Sequence, residues 1–144
     1  MTLTRRALFA APLLLIPAVR TAEARGTTVY DATEDHVYEY VSRALEAWGL
    51  PWHHKHADGH TKPRSGDVEV ASRALSNALG ETQEIIGKHG FRLHRITIDT
   101  GWPKDMVYST VLHEIGHAMG LGHSTEPDSC MHETNTILEP STAD

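Results

Sequence analysis

The sequence predicts an α+β domain in which one small sheet packs against two helices. Apolar residues recur at helical spacing over residues 34–48, which indicates an amphipathic helix. Residues 95–99, Arg-Ile-Thr-Ile-Asp, alternate apolar and polar side chains, as is typical of a half-buried strand. A second helical repeat of apolar residues begins near Asp105 and continues to Met119.

The first part of the domain contains a strand followed by the first of these helices. Residues 25–32 are rich in β-branched and aromatic side chains, which favours a strand. The helix that follows ends at Gly49. Its apolar face consists of Val37, Val41, Ala44, Leu45 and Trp48.

The middle of the chain carries weaker signals. Residues 51–67 are predicted to be a polar loop, because they contain four histidines, two prolines and two glycines. Residues 68–71 form a short strand candidate, whereas residues 72–95 mix helix and strand character. The second helix follows a break at residues 101–103 and is expected to end at Gly120.

Residues 1–24 have the order of a bacterial export signal. A basic start is followed by an apolar stretch from Ala7 to Val19 and by Ala22-Glu23-Ala24, which predicts cleavage after Ala24. The pair Arg5-Arg6 resembles a twin-arginine signal, and an ordinary secretory signal is the alternative. We therefore expect a periplasmic or secreted protein whose single domain is residues 25–144.

The charge balance and the single cysteine narrow the class of protein. The chain has a formal net charge of −6, and loss of three arginines and one glutamate with residues 1–24 would bring it to −8. Since no basic stripe is present, nucleic acid is not the expected partner. No stretch of the mature chain is long and apolar enough for a stable membrane anchor.

Cys130 is the only cysteine, so an internal disulfide is excluded, and a bound metal would stabilise so small a domain. A monomer is the default expectation.

The second helix carries the most specific pattern in the sequence, His113-Glu114-x-x-His117-x-x-Gly120-x-x-His123. Because His113 and His117 are four residues apart, their imidazoles lie on one face of a helix and can reach one zinc ion. Glu114 is one residue further round, where a carboxylate can contact a water on the metal without binding the metal. Gly120 allows the chain to reverse through a left-handed conformation, which could bring His123 to a third position. Three nitrogen ligands leave a fourth position open, as in catalytic zinc sites.

This pattern, followed by a methionine, resembles the signature of the metzincin zinc metallopeptidases. Ser124, directly after the third histidine, and the short interval to Met131 are similar to the matrixin branch, which includes the matrix metalloproteinases. The resemblance extends over about residues 96–131. It implies a zincin-like single domain with a small twisted mixed sheet, a backing helix, an active-site helix and a Met-turn after the zinc motif.

The resemblance also implies a role for each residue of the pattern. His113, His117 and His123 would hold one catalytic zinc ion, which activates a water and polarises a substrate carbonyl. Glu114 would take the proton of that water and deliver it to the leaving amine. Met131 would form an apolar floor below the metal. A simple core position for Met131 and a surface acid at Glu114 are the alternatives.

Several residues depart from the matrixin pattern or lie outside it. His132 and Glu133 follow Met131 where matrixins usually have a tyrosine first. Ordinary turn positions are expected for both, and an approach to the metal or the substrate is the alternative. The histidine-rich segment 53–60 does not reproduce the structural-zinc pattern of the family, so a second metal is disfavoured. Cys130 is expected to be a buried, inert thiol, with a reactive thiol or a further zinc ligand as the alternative. No calcium-loop motif is present, and calcium binding stays open.

The expected function is zinc-dependent hydrolysis of peptide bonds in extracytoplasmic proteins or peptides. The substrate would lie extended along a sheet edge, which we expect within residues 76–86. One alternative is a catalytically silent zinc-binding protein that uses the fold for recognition. A zinc hydrolase of non-peptide amides is the other. Glu114 weighs against the silent protein, because metal binding alone requires no base at that position.

Overall fold

Five strands and two helices make up the part of the chain that the computed structural model describes, residues 26–134, 139–141 and 144. In chain order they are β1 (Thr28–Asp31), α1 (Asp35–Ala47), β2 (His53–His56), β3 (Val68–Ser72), β4 (Gly80–Ile86), β5 (Arg92–Ile98) and α2 (Lys104–Ala118). A short 3-10 turn at Lys88–Gly90 joins β4 to β5. These elements confirm the predicted α+β class. The predicted export signal, residues 1–24, lies outside the described residues.

The sheet places β2 at one edge and β4 at the other, in the order β2-β1-β3-β5-β4. β1 pairs in parallel with both β2 and β3, and β3 pairs in parallel with β5. β4 runs antiparallel to β5, with Thr82 opposite Ile96 and Gly80 opposite Ile98. The sheet is therefore mixed, as predicted, and its antiparallel edge lies next to α2.

One apolar core joins the sheet to the two helices. The strands contribute alternate residues to it, because successive side chains of a strand point to opposite faces. α2 is buried along most of its length, because it contacts β4 and β5 of the sheet as well as α1. Each fully buried Val, Leu or Ile contributes about 1.5–3 kcal/mol relative to an exposed one, so this layer dominates the stability of the fold. The main core residues are Val29, Val68, Val70, Ile96 and Ile98 from the sheet, Val37, Val41, Ala44 and Leu45 from α1, and Val107, Val111, Leu112 and Ile115 from α2.

Two strands differ from the sequence prediction. β2 lies within residues 51–67, predicted to be a loop, and β4 lies within residues 72–95, where the pattern favours no single element. Both are edge strands, so they need a partner on one side only and carry mostly polar side chains. Tyr38 of α1 covers β2, because the centre of its ring lies 3.9 Å from that of His54 and 4.0 Å from that of His56.

Neither α1 nor α2 resembles a membrane span. Within the residues that the structure describes, no helix combines the length and the apolar composition needed to cross a bilayer.

Candidate metal centre

The end of α2 turns the chain back on itself. α2 ends at Ala118, and Gly120 has a φ of +96°, in the left-handed region that favours glycine. The N–H of Leu121 donates to the carbonyl of Gly116 over 3.0 Å, and the N–H of Gly120 donates to the carbonyl of His117 over 2.9 Å. These two bonds form a Schellman motif, which closes the helix and satisfies two of its last carbonyls. The reversal expected at Gly120 is therefore present.

Three imidazoles converge at this reversal. His113 and His117 lie one turn apart on α2, and His123 comes from the segment after it. One ring nitrogen of each lies within 4.8 Å of the others, and the Nε2 atoms of His117 and His123 are 3.2 Å apart. Ligands at about 2.0–2.1 Å from a tetrahedral zinc ion lie about 3.3 Å from one another, so this spacing fits zinc. No other group of three or more His, Cys, Asp or Glu side chains among the described residues is close enough to hold a metal ion.

Backbone carbonyls hold the Nδ1 atoms of two of these rings. The Nδ1 of His113 lies 2.8 Å from the carbonyl oxygen of Cys130, and the Nδ1 of His117 lies 2.8 Å from that of Leu121. Because a carbonyl oxygen only accepts hydrogen bonds, both Nδ1 atoms carry the hydrogen and both Nε2 atoms present a lone pair. Burial lowers the pKa of His113 below its usual 6.5, which favours the neutral form that binds metal. The hydrogen bonds from these two Nδ1 atoms thus orient the His113 and His117 rings so that their Nε2 atoms can bind zinc.

Glu114 lies beside the imidazoles and is only 5% exposed, so it is not a surface acid. The hydroxyl of Thr82 lies 2.6 Å from Oε2 of Glu114 and 3.0 Å from its backbone carbonyl oxygen. Burial raises the pKa of Glu114 above its ordinary 4.5, and the hydrogen bond from Thr82 acts in the opposite direction. A raised pKa suits a group that must take up and release a proton near neutral pH. The role of general base stays a prediction.

Met131 packs directly against α2 at Gly116. Met131 is 1% exposed, and a Cβ on Gly116 would lie 2.2 Å from its Sδ and 3.3 Å from Cζ2 of Trp48. No residue larger than glycine fits at this point of the helix without a shift of its neighbours. The carbonyl of Met131 accepts a hydrogen bond of 2.9 Å from the N–H of Ser124, which ties the segment after the third histidine to the turn. Met131 therefore lies against the histidine-bearing helix, and its role as a floor stays a prediction.

The residues that flank Met131 lie outside the ligand group formed by the described residues. The Nδ1 of His132 lies 3.1 Å from the hydroxyl of Thr134, and Glu133 is exposed. Cys130 is fully buried, and this burial, together with the nearby carboxylate of Asp144, raises the pKa of its thiol to about 12. A thiol with so high a pKa stays protonated, which fits the expected inert cysteine.

Within residues 53–60, His54 belongs to a different network, at the far edge of the sheet. The Nε2 of His54 lies 2.9 Å from Oδ2 of Asp31, and its Nδ1 lies 2.8 Å from the hydroxyl oxygen of Ser42. Asp58 accepts hydrogen bonds from backbone N–H groups within its own turn. His54 and Asp58 are therefore already engaged in hydrogen bonds within the protein.

Four groups near the metal centre could not be predicted from the sequence. The carbonyls of Leu121 and Cys130 leave no trace in the sequence, because every residue has a carbonyl. Thr82 lies 32 residues before Glu114, and the β-branched residues of β4 are the only local signal for a strand there. Asp144 accepts hydrogen bonds from the N–H groups of Met131, over 3.1 Å, and Cys130, over 3.3 Å.

A mixed five-stranded sheet, a His-Glu-x-x-His helix and a third histidine after a glycine reversal together define a zinc metallopeptidase of the metzincin class. Comparison with known families agrees, because residues 18–143 match the family described as matrixin. The chain belongs to the matrixin family of zinc metalloendopeptidases. The predictions of family, fold and a three-histidine zinc centre are thereby confirmed.

A shorter similarity links the chain to another protein. It is 42% identical over 36 residues to a protein named archaemetzincin from Pyrococcus horikoshii. The match covers 25% of this chain and 19% of that protein, well under two thirds of its length.

Proposed function

We propose that the protein is an endopeptidase that hydrolyses peptide bonds in proteins or peptides outside the cytoplasm, with Glu114 as its general base. The position of the Glu114 carboxylate carries this proposal. It is buried, it follows His113 directly on α2, and it is held by Thr82. A site for metal storage or recognition needs no buried carboxylate at this point, so the arrangement favours hydrolysis over silent binding.

The residues of the centre divide the chemistry between them. A zinc ion supplies a Lewis acid, which activates water and polarises the substrate carbonyl. His113, His117 and His123 would hold the ion through the ring nitrogens that converge there. Glu114 takes a proton from the attacking water as the new C–O bond forms, and delivers it to the amine nitrogen as the C–N bond breaks. Met131 supplies the apolar surface beneath these ligands.

The edge strand β4 supports an extended substrate. In the described sheet β4 pairs with β5 only, so its outer edge offers backbone N–H and C=O groups to a further strand. A peptide that pairs with this edge would run alongside β4, close to the part of α2 that Thr82 contacts. β4 lies within residues 76–86, the range in which an exposed edge is expected.

Action outside the cytoplasm rests on the sequence of residues 1–24. Expression of the full chain in a bacterium, followed by intact-mass measurement of the periplasmic and secreted protein, tests this part. The mass of residues 25–144 in either fraction supports export and cleavage after Ala24. A full-length chain that stays in the cytoplasm contradicts it.

The peptidase activity is tested with purified, zinc-loaded protein and an unbiased peptide library, with products read by mass spectrometry. Glu114→Ala, at verified equal zinc content, runs beside the wild type. We expect cleavage by the wild type and a loss of at least about 100-fold in the variant, the scale of general acid–base catalysis. Acylated small-molecule amides, assayed in parallel, test the non-peptide alternative. Failure of both proteins to cleave any peptide while each holds one zinc would overturn the proposal.

A further inference from the structure

We propose that Thr82 is a positioning residue that holds Glu114 in the orientation required for proton transfer. This inference rests on the proposed peptidase function, and it adds the edge strand to a centre otherwise built from α2 and the segment that follows it. The zinc-binding pattern in the sequence contains no hint of this residue, because Thr82 lies 32 residues before Glu114.

The contact joins β4 to α2 at one fixed point. Oγ1 of Thr82 lies 2.6 Å from Oε2 of Glu114 and 3.0 Å from the carbonyl oxygen of the same residue. In the pairing with β5, Thr82 lies directly opposite Ile96, a core residue, and directly opposed residues share one face of the sheet. The side chain of Thr82 therefore points to the helices. Because a β-branched side chain has few rotamers, its hydroxyl is presented at a defined place.

The backbone of β4 also confines the stem of Glu114. A Cβ on Gly80 would lie 2.9 Å from Cγ of Glu114 and 2.5 Å from Cγ2 of Thr110, so a residue with a side chain would not fit here unless its neighbours moved. Gly80 precedes Thr82 by two residues and lies on the same face of the strand. The strand thus holds the glutamate at its stem through Gly80 and at its carboxylate through Thr82. Contacts of this kind select one rotamer of a flexible side chain before the substrate arrives.

The hydrogen bond assigns the two carboxylate oxygens to different tasks. Oε2 is engaged by Thr82, and no hydrogen bond within the described part of the chain reaches Oε1. We therefore assign Oε1 to the attacking water, because it is the oxygen left without an internal hydrogen bond. Without the hydroxyl the carboxylate can rotate, and a smaller fraction of molecules presents an oxygen in line with the water. The loss should appear in kcat rather than in KM, because the side chain of Thr82 faces Glu114 and not the outer edge of β4.

Three variants test this inference on the full zinc-loaded protein. Thr82→Val keeps the shape of the side chain and removes the hydroxyl, whereas Thr82→Ser keeps the hydroxyl. Thr97→Val is the matched control, since it makes the same change on β5 at a position opposite Glu81, on the other face of the sheet. We expect Thr82→Val to lower kcat by about 10- to 100-fold, the scale of one hydrogen bond to a charged group, with KM and zinc content unchanged. Thr82→Ser and Thr97→Val should retain most of the wild-type kcat.

High-resolution crystal structures of the same proteins give a readout that does not depend on activity. We expect a single conformation of Glu114 in the wild type and in Thr82→Ser, and several in Thr82→Val. Should Thr82→Val fail to fold, Thr82→Ala takes its place as the hydroxyl-free variant.

The outcomes separate this inference from the proposed function. If the wild type cleaves peptides but Thr82→Val keeps its kcat, or Thr82→Ser is equally slow, positioning by the hydroxyl is overturned while the peptidase stands. If the wild type cleaves no peptide, the proposed function fails, and the crystal structures alone test whether Thr82 positions Glu114. One unchanged conformation of Glu114 in all variants would then overturn the positioning role, and disorder in Thr82→Val alone would support it.

Discussion

The Nδ1 atom of His113 donates a hydrogen bond of 2.8 Å to the backbone carbonyl of Cys130, which lies 17 residues further along the chain. This contact couples the orientation of a zinc ligand to the turn that contains Met131. The carboxylate of Asp144 in turn accepts hydrogen bonds from the backbone N–H groups of Cys130 and Met131 and from the hydroxyl of Ser129. Asp144 therefore supports a metal ligand that it does not touch.

Replacement of Asp144 by asparagine is expected to weaken zinc binding. Asparagine keeps the shape but substitutes an NH₂ donor for one of two acceptor oxygens, and that donor would face a backbone N–H. The turn would shift, and the Cys130 carbonyl would hold His113 less firmly. We expect zinc to dissociate about 10-fold faster, the lower end of the effect of contacts behind metal ligands, measured by transfer to a chromophoric chelator. Asp128→Asn, at an exposed acid of the same loop, is the control. Equal dissociation rates for the two variants would contradict the coupling.

The pKa of the Asp144 carboxylate leads us to predict that the free energy of unfolding decreases at low pH. Burial raises the pKa of Asp144, but hydrogen bonds from Ser129 and from the N–H groups of Ser141, Met131 and Cys130 outweigh it and lower the pKa from 3.8 to about 2. Because the folded-state pKa lies below the unfolded one, Asp144 adds stability that is present above about pH 4 and is lost as the pH falls towards 2. For the metal-free protein, the difference in unfolding free energy between wild type and Asp144→Asn should shrink over this range. Urea denaturation at several pH values measures it, and a difference that stays constant down to pH 2 would count against the prediction.

Elements whose side chains reach the core can be predicted from the sequence. α1 and α2 show their apolar spacing, and β5 shows alternation, because burial requires apolar residues at those positions. β2 and β4 cannot be predicted in this way. Their stability comes from backbone pairing with β1 and β5, and their polar side chains carry no clear pattern.

The metal centre likewise contains residues that the sequence predicts and residues that it does not. The three histidines can be predicted because one helix and one reversal place them, within a span from His113 to His123. The partners that orient the centre come from remote parts of the chain. Thr82 reaches Glu114 only through the pairing of β4 with β5, and Cys130 reaches His113 only through the fold of the turn. No local spacing encodes such contacts.

The network at β2 predicts that His54 stabilises the fold without affecting the zinc centre. The side chain of Asp31 is 0% exposed, and its partners include the His54 ring and the N–H of Thr33, over 2.8 Å. His54→Ala would leave a buried carboxylate short of a hydrogen bond, at a cost of about 2–3 kcal/mol in unfolding free energy, measured by urea denaturation. His56→Ala is the control, because His56 also stacks on Tyr38 but is exposed. Zinc content should stay at one per chain in both variants. Equal stability of the two would contradict the role of the Asp31 contact.

The contact between Gly116 and Met131 predicts that one added methyl group disturbs the metal centre. In Gly116→Ala the new Cβ would lie 2.2 Å from Sδ of Met131 and 3.3 Å from Cζ2 of Trp48. Alanine favours a helix over glycine by about 1 kcal/mol, but overpacking of a buried site costs about 1–3 kcal/mol. Since the side chain that must move is fully buried, we expect a net loss of about 1–2 kcal/mol, seen as a lower Tm. Zinc should also dissociate faster, because displacement of Met131 moves the Cys130 carbonyl that holds His113.

A control and a double variant locate the cause of this effect. Gly122→Ala adds the same methyl group where nothing lies within 4 Å, and it should leave the Tm unchanged. In a Met131→Ala background the clash has no partner, so Gly116→Ala should no longer destabilise and its helix propensity should show as a small gain. The two substitutions are therefore expected to be strongly non-additive in a double-mutant cycle. An additive cycle would mean that the cost of Gly116→Ala arises elsewhere, such as at Trp48, and that Met131 is not what requires glycine between the first two zinc ligands.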